Sequence, residues 1–322
     1  MSSTGERPSG DAFSGQRWPS SPRAMSLGLM MPIGEQSAFG GTPRFADIVA
    51  VAEAARDAGI EIVWFADHFA VGGGTADDPY RGVWEAIALM AGVAARVPDV
   101  QIGALVANTG YRNPGVIARA AETIDEISDG RFILGLGAGG MKPDHDQFGF
   151  PFDRRASRFE DAIAIIHALL RDGEVDYRGE FFTANRAVNR PRGPRPDGPP
   201  IVVGTTGHRM LRLTARYADA WNTTWYRDPT EVAAEMRRVD EACTEVGRDP
   251  RTLVRTAGGN LAMPGYHGAR PNAVDGTVEE KAAWLDGFRA IGLDHFVIGL
   301  DPATPESLAA FAEVVRAYDA MA

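Results

Sequence analysis

Eight short apolar runs, each followed by a segment of helical period, recur along the chain. This alternation limits the possible folds more than any other feature. The runs cover residues 26–33, 61–66, 100–107, 131–136, 200–204, 219–224, 252–258 and 294–300. Stretches such as VQIGALVA, RFILGLG and HFVIGL are apolar nearly throughout, as parallel strands covered on both faces must be. Between them, apolar residues return at steps of three and four. Phe45, Ile48, Val49, Ala52 and Ala55 make one stripe; Val116, Ile117, Ala120, Ala121, Ile124 and Ile127 make another. Asn113-Pro114, Thr42-Pro43 and Thr304-Pro305 each set a capping side chain before a proline at the first helical position. Thr277 with Glu280 reads as a capping box. Strict alternation predicts an α/β fold, and eight units predict closure into a (β/α)8 TIM barrel, with an open doubly wound sheet as the competing arrangement.

A chain of 322 residues with 44% hydrophobic content can bury such a core. We divide it into a disordered N-terminal tail, residues 1–24, rich in Ser, Gly, Pro and Arg, and one barrel domain, residues 25–322. The tail lacks the apolar centre of a secretory signal. No apolar run approaches the roughly 20 residues needed to span a bilayer. A net charge of -10 argues against nucleic acid and anionic lipid as partners. The one cysteine, Cys243, cannot close an internal disulfide, and the expected setting is the cytoplasm. Two connections are long enough to count as insertions. Residues 172–199, after the fourth barrel helix, hold a predicted hairpin, and residues 259–276 follow the seventh strand.

In a barrel the reactive groups belong at the strand C-termini. The second run ends in Asp67-His68, an imidazole and a carboxylate suited to acid–base work, or simply a solvated strand end. The third ends in Asn108, able to give and take hydrogen bonds at a ring edge or to cap the strand. The fourth ends in Gly135-Leu136-Gly137-Ala138-Gly139-Gly140. This lacks dinucleotide-fingerprint spacing, but Gly137, Gly139 and Gly140 permit close backbone approach to something flat, or a plain turn. The fifth leads through Gly204, Thr205, Thr206 and Gly207 straight into a helix, which makes an anion site, or a cap, or both. Trp64, Phe65, Phe69, Trp84 and Trp221 are candidate pocket walls or plain core. No cluster shows metal-ligand spacing and no GxSxG elbow is present, so neither metal-assisted nor triad hydrolysis is expected.

Together the stretches IVWFADHF, YRNPGVIARAAETIDEISDGRFILGLGAG and PPIVVGTTGHRMLRLTARYADAW resemble the bacterial luciferase-like monooxygenase superfamily. The resemblance covers nearly the whole domain and implies a barrel using coenzyme F420 or FMN. It implies phosphate binding at Gly204, Thr205, Thr206 and Gly207, and a non-proline cis peptide at Leu105–Val106 behind the cofactor ring. It also implies His68 as proton donor or acceptor beside that ring, with Asp67 orienting it or touching substrate, and a homodimer. One departure stands out. Sugar-phosphate and alcohol dehydrogenases of the family carry a catalytic glutamate where this chain has Gly140, so a second acid must come from Asp67, Asp144 or Glu85. The leading expectation is hydride transfer between F420 and a small organic substrate. A reduced-FMN monooxygenase is the alternative, and a cofactor-binding relative without turnover is the third.

Overall fold

A computed structural model describes residues 17–35, 38–72, 75, 77, 79–270 and 272–321. Each predicted run contains a strand: β1 Ser26–Met30, β2 Ile62–Phe65, β3 Gln101–Ala104 (resumed at Ala107–Asn108), β4 Phe132–Gly137, β5 Ile201–Gly204, β6 Ala220–Thr224, β7 Val254–Ala262 and β8 His295–Asp301. All neighbouring pairs are parallel, and pairing of β5 with β4 and of β8 with β1 closes the sheet into a TIM barrel. Helices α1 Phe45–Asp57, α2 Ala86–Arg96, α3 Pro114–Ile127, α4 Lys142–Phe148, α5 Arg155–Arg171, α6 His208–Tyr217, α7 Pro229–Glu245, α8 Val278–Ala290 and α9 Pro305–Asp319 complete it.

Local chemistry accounts for most boundaries. Asn113 caps α3 ahead of Pro114, Thr304 caps α9 ahead of Pro305, and Thr277 and Glu280 form the reciprocal box of α8. Thr42-Pro43 does not act this way. The Pro43 carbonyl accepts from Trp84 Nε1 instead, and α1 starts at Phe45 behind Arg44, whose backbone N–H donates to Asp47. Strand β7 runs past the predicted Gly258 to Ala262, because its pairing with β8 continues to Asp301. The first insertion is the hairpin Glu174–Arg178/Thr183–Val188.

Side chains alternate between the helix layer and the barrel interior. Phe65, Phe132, Leu134, Phe296 and Ile298 join the helices in the larger core, while Ile62, Trp64, Ile133, Val202, Ala220 and Val297 fill the interior. Trp64 occupies room that two bare strand positions leave: a Cβ on Gly103 would stand 2.3 Å from its ring, and one on Gly28 2.6 Å from Nε1.

The expected tail overlaps the packed chain. Residues 1–16 lie outside the described residues, but Trp18 stacks on Trp64 at 6.4 Å beneath the interior. Arg17 pairs with buried Asp219, and Arg23 reaches Glu61 and Asp319. Packing therefore reaches back at least to Arg17, where apolar and ionic contacts offset the cost in chain entropy.

Candidate active site at the C-terminal mouth of the barrel

A cavity of about 690 Å³ opens at the C-terminal end of the strands. It gathers Asp67, His68, Leu105, Val106, Asn108, Gly137, Gly139, Gly140, Gly204 and Thr205, candidates from four separate strand ends. Thr206 and Gly207 follow on the exposed rim beyond this lining. None of the five aromatics considered as walls lines it. Trp64 sits below in the interior, Phe65 and Trp221 face the helices, Phe69 packs on Tyr111, and Trp84 is exposed. Trp225, at the end of β6, supplies an aromatic wall instead.

The floor is made by an irregularity in β3. Gly103 pairs with Ile133, yet Ala107 pairs with Leu136, so β3 has one residue more than β4 between the two pairs. This is a bulge, which re-aims side chains where strict pairing would not. Its centre, Leu105–Val106, is a cis peptide. The glycines of β4 serve this bulge first. A Cβ on Gly135 would stand 1.9 Å from the Ala104 carbonyl oxygen, and one on Gly137 2.5 Å from Val106. Gly139 has φ +78° and lies against Asn108 and His145, while Gly140 alone of the four faces open space. The GLGAGG stretch thus clears room for the protein's own third strand, while Gly137, Gly139 and Gly140 also line the cavity.

His68 and Asp67 separate into two groups. His68 Nδ1 lies 2.9 Å from Oδ2 of Asp144, which is buried on α4. That carboxylate also accepts from Ala70 N at 3.0 Å and the Tyr111 hydroxyl at 2.9 Å. Burial works against its charge, but the hydrogen bonds from His68, Ala70 and Tyr111 outweigh it and hold the Asp144 carboxyl below its usual range. An ionised Asp144 accepts from Nδ1–H, which fixes the tautomer with its lone pair on Nε2 as the neutral form of the ring. Among the described residues Nε2 has no protein partner, and His68 lines the cavity.

Asp67 is committed elsewhere. Its Oδ2 accepts from Asn108 N at 2.9 Å and Arg112 Nη1 at 2.6 Å, and its Oδ1 from Arg112 Nη2 at 3.0 Å. Arg112 extends the pair to Glu85, which caps α2. Asp67 therefore fixes the start of the resumed β3, and the carboxylate that orients His68 is Asp144. Asn108 is constrained in turn: its Oδ1 accepts from Gly110 N at 2.8 Å, and its Nδ2 lies 3.1 Å from Nε2 of buried His145. His145 Nδ1 lies 2.9 Å from the Pro151 carbonyl, so Nδ1 donates and Nε2 accepts from Asn108.

At the β5 turn, Thr205 N donates to Asn222 O and the Thr205 carbonyl accepts from Trp221 Nε1. Thr205 Oγ1 accepts from Gly207 N at 3.2 Å. Helix α6 has no side-chain cap, so its first N–H groups face the rim unspent. Arg155 also lines the cavity, 3.7 Å above the Phe152 ring, with no acidic partner among the described residues. Motif reading singled out His68 and the β5 turn, and the structure brings His68, Gly204 and Thr205 to one cavity. It weighed Asp144 only as a second acid, and it passed over Tyr111, Arg112, His145, Arg155, Trp225 and Arg270.

Residues 25–263 match the luciferase-like monooxygenase family. A phthiodiolone/phenolphthiodiolone dimycocerosates ketoreductase of Mycobacterium sp. (strain JLS) is 35% identical over 176 residues, 53% of this chain and 46% of that protein. A 5,10-methylenetetrahydromethanopterin reductase of Archaeoglobus fulgidus is 32% identical over 165 residues, 51% of this chain and 45% of the relative. The chain thus spans about half the length of the curated relatives it matches. Among solved structures, an F420-dependent secondary alcohol dehydrogenase superposes with TM-score 0.78 at 19% identity, covering 91% of this chain and 99% of that one. The coenzyme F420-dependent tetrahydromethanopterin reductase of Methanopyrus kandleri gives TM-score 0.75 at 17% identity, covering 92% and 99%. A likeness at such identities speaks for the fold, whereas the family match spans most of the sequence. The chain belongs to the luciferase-like monooxygenase family.

Proposed function

We propose that this protein is an oxidoreductase that uses coenzyme F420 to exchange hydride with a small organic substrate. The observation that carries the reading is His68, with Nδ1 held by Asp144 and Nε2 open to a cavity floored by the Leu105–Val106 bulge. The residues present fit a flavin-type group. The cavity has room for a ring system, the uncapped start of α6 suits a phosphate, and Arg155 supplies a positive charge without an acidic partner among the described residues. A bound deazaflavin supplies hydride chemistry in two-electron steps. The protein supplies the rest. Leu105 and Val106 support the ring, Asn108 lies at its edge, and Gly204, Thr205, Thr206 and Gly207 hold the phosphate end. His68 Nε2 moves the proton that accompanies hydride, while Asp144 keeps the imidazole in the tautomer that can do so. Asp67 is a positioning residue, through Arg112 and Asn108.

The alternative, a reduced-FMN monooxygenase, draws support from Gly140, which leaves the dehydrogenase-type acid position empty of a side chain. Titrating the protein separately with F420 and with FMN decides between them. F420 binding with weak FMN affinity is expected; tight FMN binding with no affinity for F420 overturns the leading reading. The homodimer belongs to the same proposal, supported by exposed Phe45, Trp84 and Val116 near the starts of α1, α2 and α3. A cytoplasmic setting is supported by Cys243, a buried free thiol.

A further inference from the structure

The ends of β7 and β8 carry a second built feature of the cavity. Gly258 and Gly299 share the inward register of Thr256 and His295, and neither has a left-handed backbone. Their reason is space. A Cβ on Gly258 would stand 2.7 Å from the Thr224 methyl carbon, 2.9 Å from the Val297 carbonyl oxygen and 3.2 Å from the Trp225 ring. One on Gly299 would stand 2.8 Å from Arg270 Nη1 and 2.3 Å from Asn260 Oδ1. The Trp225 indole and the Arg270 guanidinium therefore lie on two bare strand positions. The guanidinium carbon is 5.7 Å from the indole centroid, and both side chains line the cavity.

Arg270 is not a loose surface cation. Its backbone N and its Nε each donate to Asp301 Oδ2 at 2.9 Å, and Nη2 donates to Oδ1 at 2.8 Å. The segment that follows is fastened to β7, with Asn260 Nδ2 donating to Asn272 Oδ1 at 2.9 Å and Val274 N to Asn260 O at 2.8 Å. Asp301 takes one face of the fork, and Nη1 has no partner among the described residues. A planar fork fixed along one edge by a carboxylate presents its remaining N–H groups in a set direction.

We propose that Trp225 and Arg270 are the specificity-determining wall of this site. They take a neutral substrate with a flat apolar body, which lies on the indole, and a carbonyl or hydroxyl oxygen, which accepts from Arg270 Nη1. The inference rests on reading this cavity as the oxidoreductase site. Charge decides for a neutral oxygen over a carboxylate. Asp301 cancels Arg270 as Arg112 cancels Asp67, so this end of the cavity offers direction without net positive charge. An anionic group belongs at the other end, beside Arg155.

Acetophenone and benzoate, matched in shape and differing in charge, test this by ligand-observed NMR titration of the whole protein. Acetophenone binds the wild type more tightly than benzoate does. Arg270→Ala weakens acetophenone about tenfold or more, as loss of a charge-assisted hydrogen bond does. Arg270→Lys does not restore it, because an ammonium cannot hold Asp301 with two donors and still direct a third. Preference for benzoate, unchanged affinity in Arg270→Ala, full affinity in Arg270→Lys, or no acetophenone binding to the wild type each overturns the proposal. F420 and FMN titrations of the same samples keep the two readings apart. Arg270-dependent acetophenone binding in a protein that takes neither cofactor sinks the cofactor reading and leaves the wall standing. Cofactor binding with acetophenone indifferent to Arg270 does the reverse.

Discussion

The tripeptide Asp-His-Phe occurs twice, and its two copies sit at opposite ends of the barrel. Asp67-His68-Phe69 follows β2 at the C-terminal mouth, and Asp294-His295-Phe296 opens β8 at the other end. His295 is fully buried, with Nδ1 2.8 Å from Ser26 Oγ and Nε2 accepting from Trp64 Nε1 at 2.9 Å. Burial pushes its pKa down to about 3, so it stays neutral and both nitrogens are spent on the protein. His68 spends one nitrogen on Asp144 and keeps the other for the cavity. The aspartates differ in the same way. Asp294 accepts from Arg255 N at 2.7 Å, and burial raises its pKa against that contact, whereas Asp67 is neutralised by a two-pronged arginine. A histidine becomes a chemical group when one nitrogen is anchored and the other is left unsatisfied; when both are satisfied it is core.

The contrast can be broken in three ways. His68→Ala should cost the most, about 10²- to 10⁴-fold in turnover, while cofactor affinity measured by titration stays nearly intact. Unchanged turnover removes His68 from the mechanism. Asp144→Asn comes next. It keeps the shape but replaces one acceptor with a donor facing N–H and O–H groups, so kcat should fall about 100-fold, a part of the acid–base contribution. A change confined to KM would mean that Asp144 shapes the pocket rather than the tautomer.

The smallest effect concerns the other histidine and appears in stability against pH. Burial holds His295 at about 3 and His167 at about 4, both below the unfolded value of about 6.5. Protonation therefore favours the unfolded chain. Their contribution is complete above pH ~6.5 and is lost as the pH falls toward the folded values. His295→Gln keeps an acceptor for Trp64 and a donor for Ser26. It should remove about 2 kcal/mol of the wild type's loss between pH 7 and 5, read as urea midpoints at the two values. Parallel pH dependence in both proteins would falsify this role, while activity per folded molecule should not change.

Much of the barrel was legible because burial on both faces writes continuous apolar runs, and caps such as Asn113-Pro114 and Thr277 with Glu280 are local chemistry. Thr42-Pro43 carried the same signature and failed, since Trp84 competes for the Pro43 carbonyl from 41 residues away. Helix α4 was not legible. KPDHDQF has no apolar period, and what holds it is Asp144 and His145 reaching into the site. Trp225 and Arg270 were missed for a related reason: the glycines beneath them lie on β7 and β8, and no motif joins positions so far apart.

The sequence alone determined strand number, helix periods, the position of His68 at a strand end and the glycine-rich turn after β5, because each depends on residues within a few positions of one another. The tertiary structure decided which acid serves His68, which histidine is free, that packing reaches back at least to Arg17 and what the GLGAGG glycines make room for. Those outcomes depend on which polar atoms end up buried together and which are left without a partner. Only closure of the barrel brings Asp144 to His68, Arg112 to Asp67 and Trp18 to Trp64.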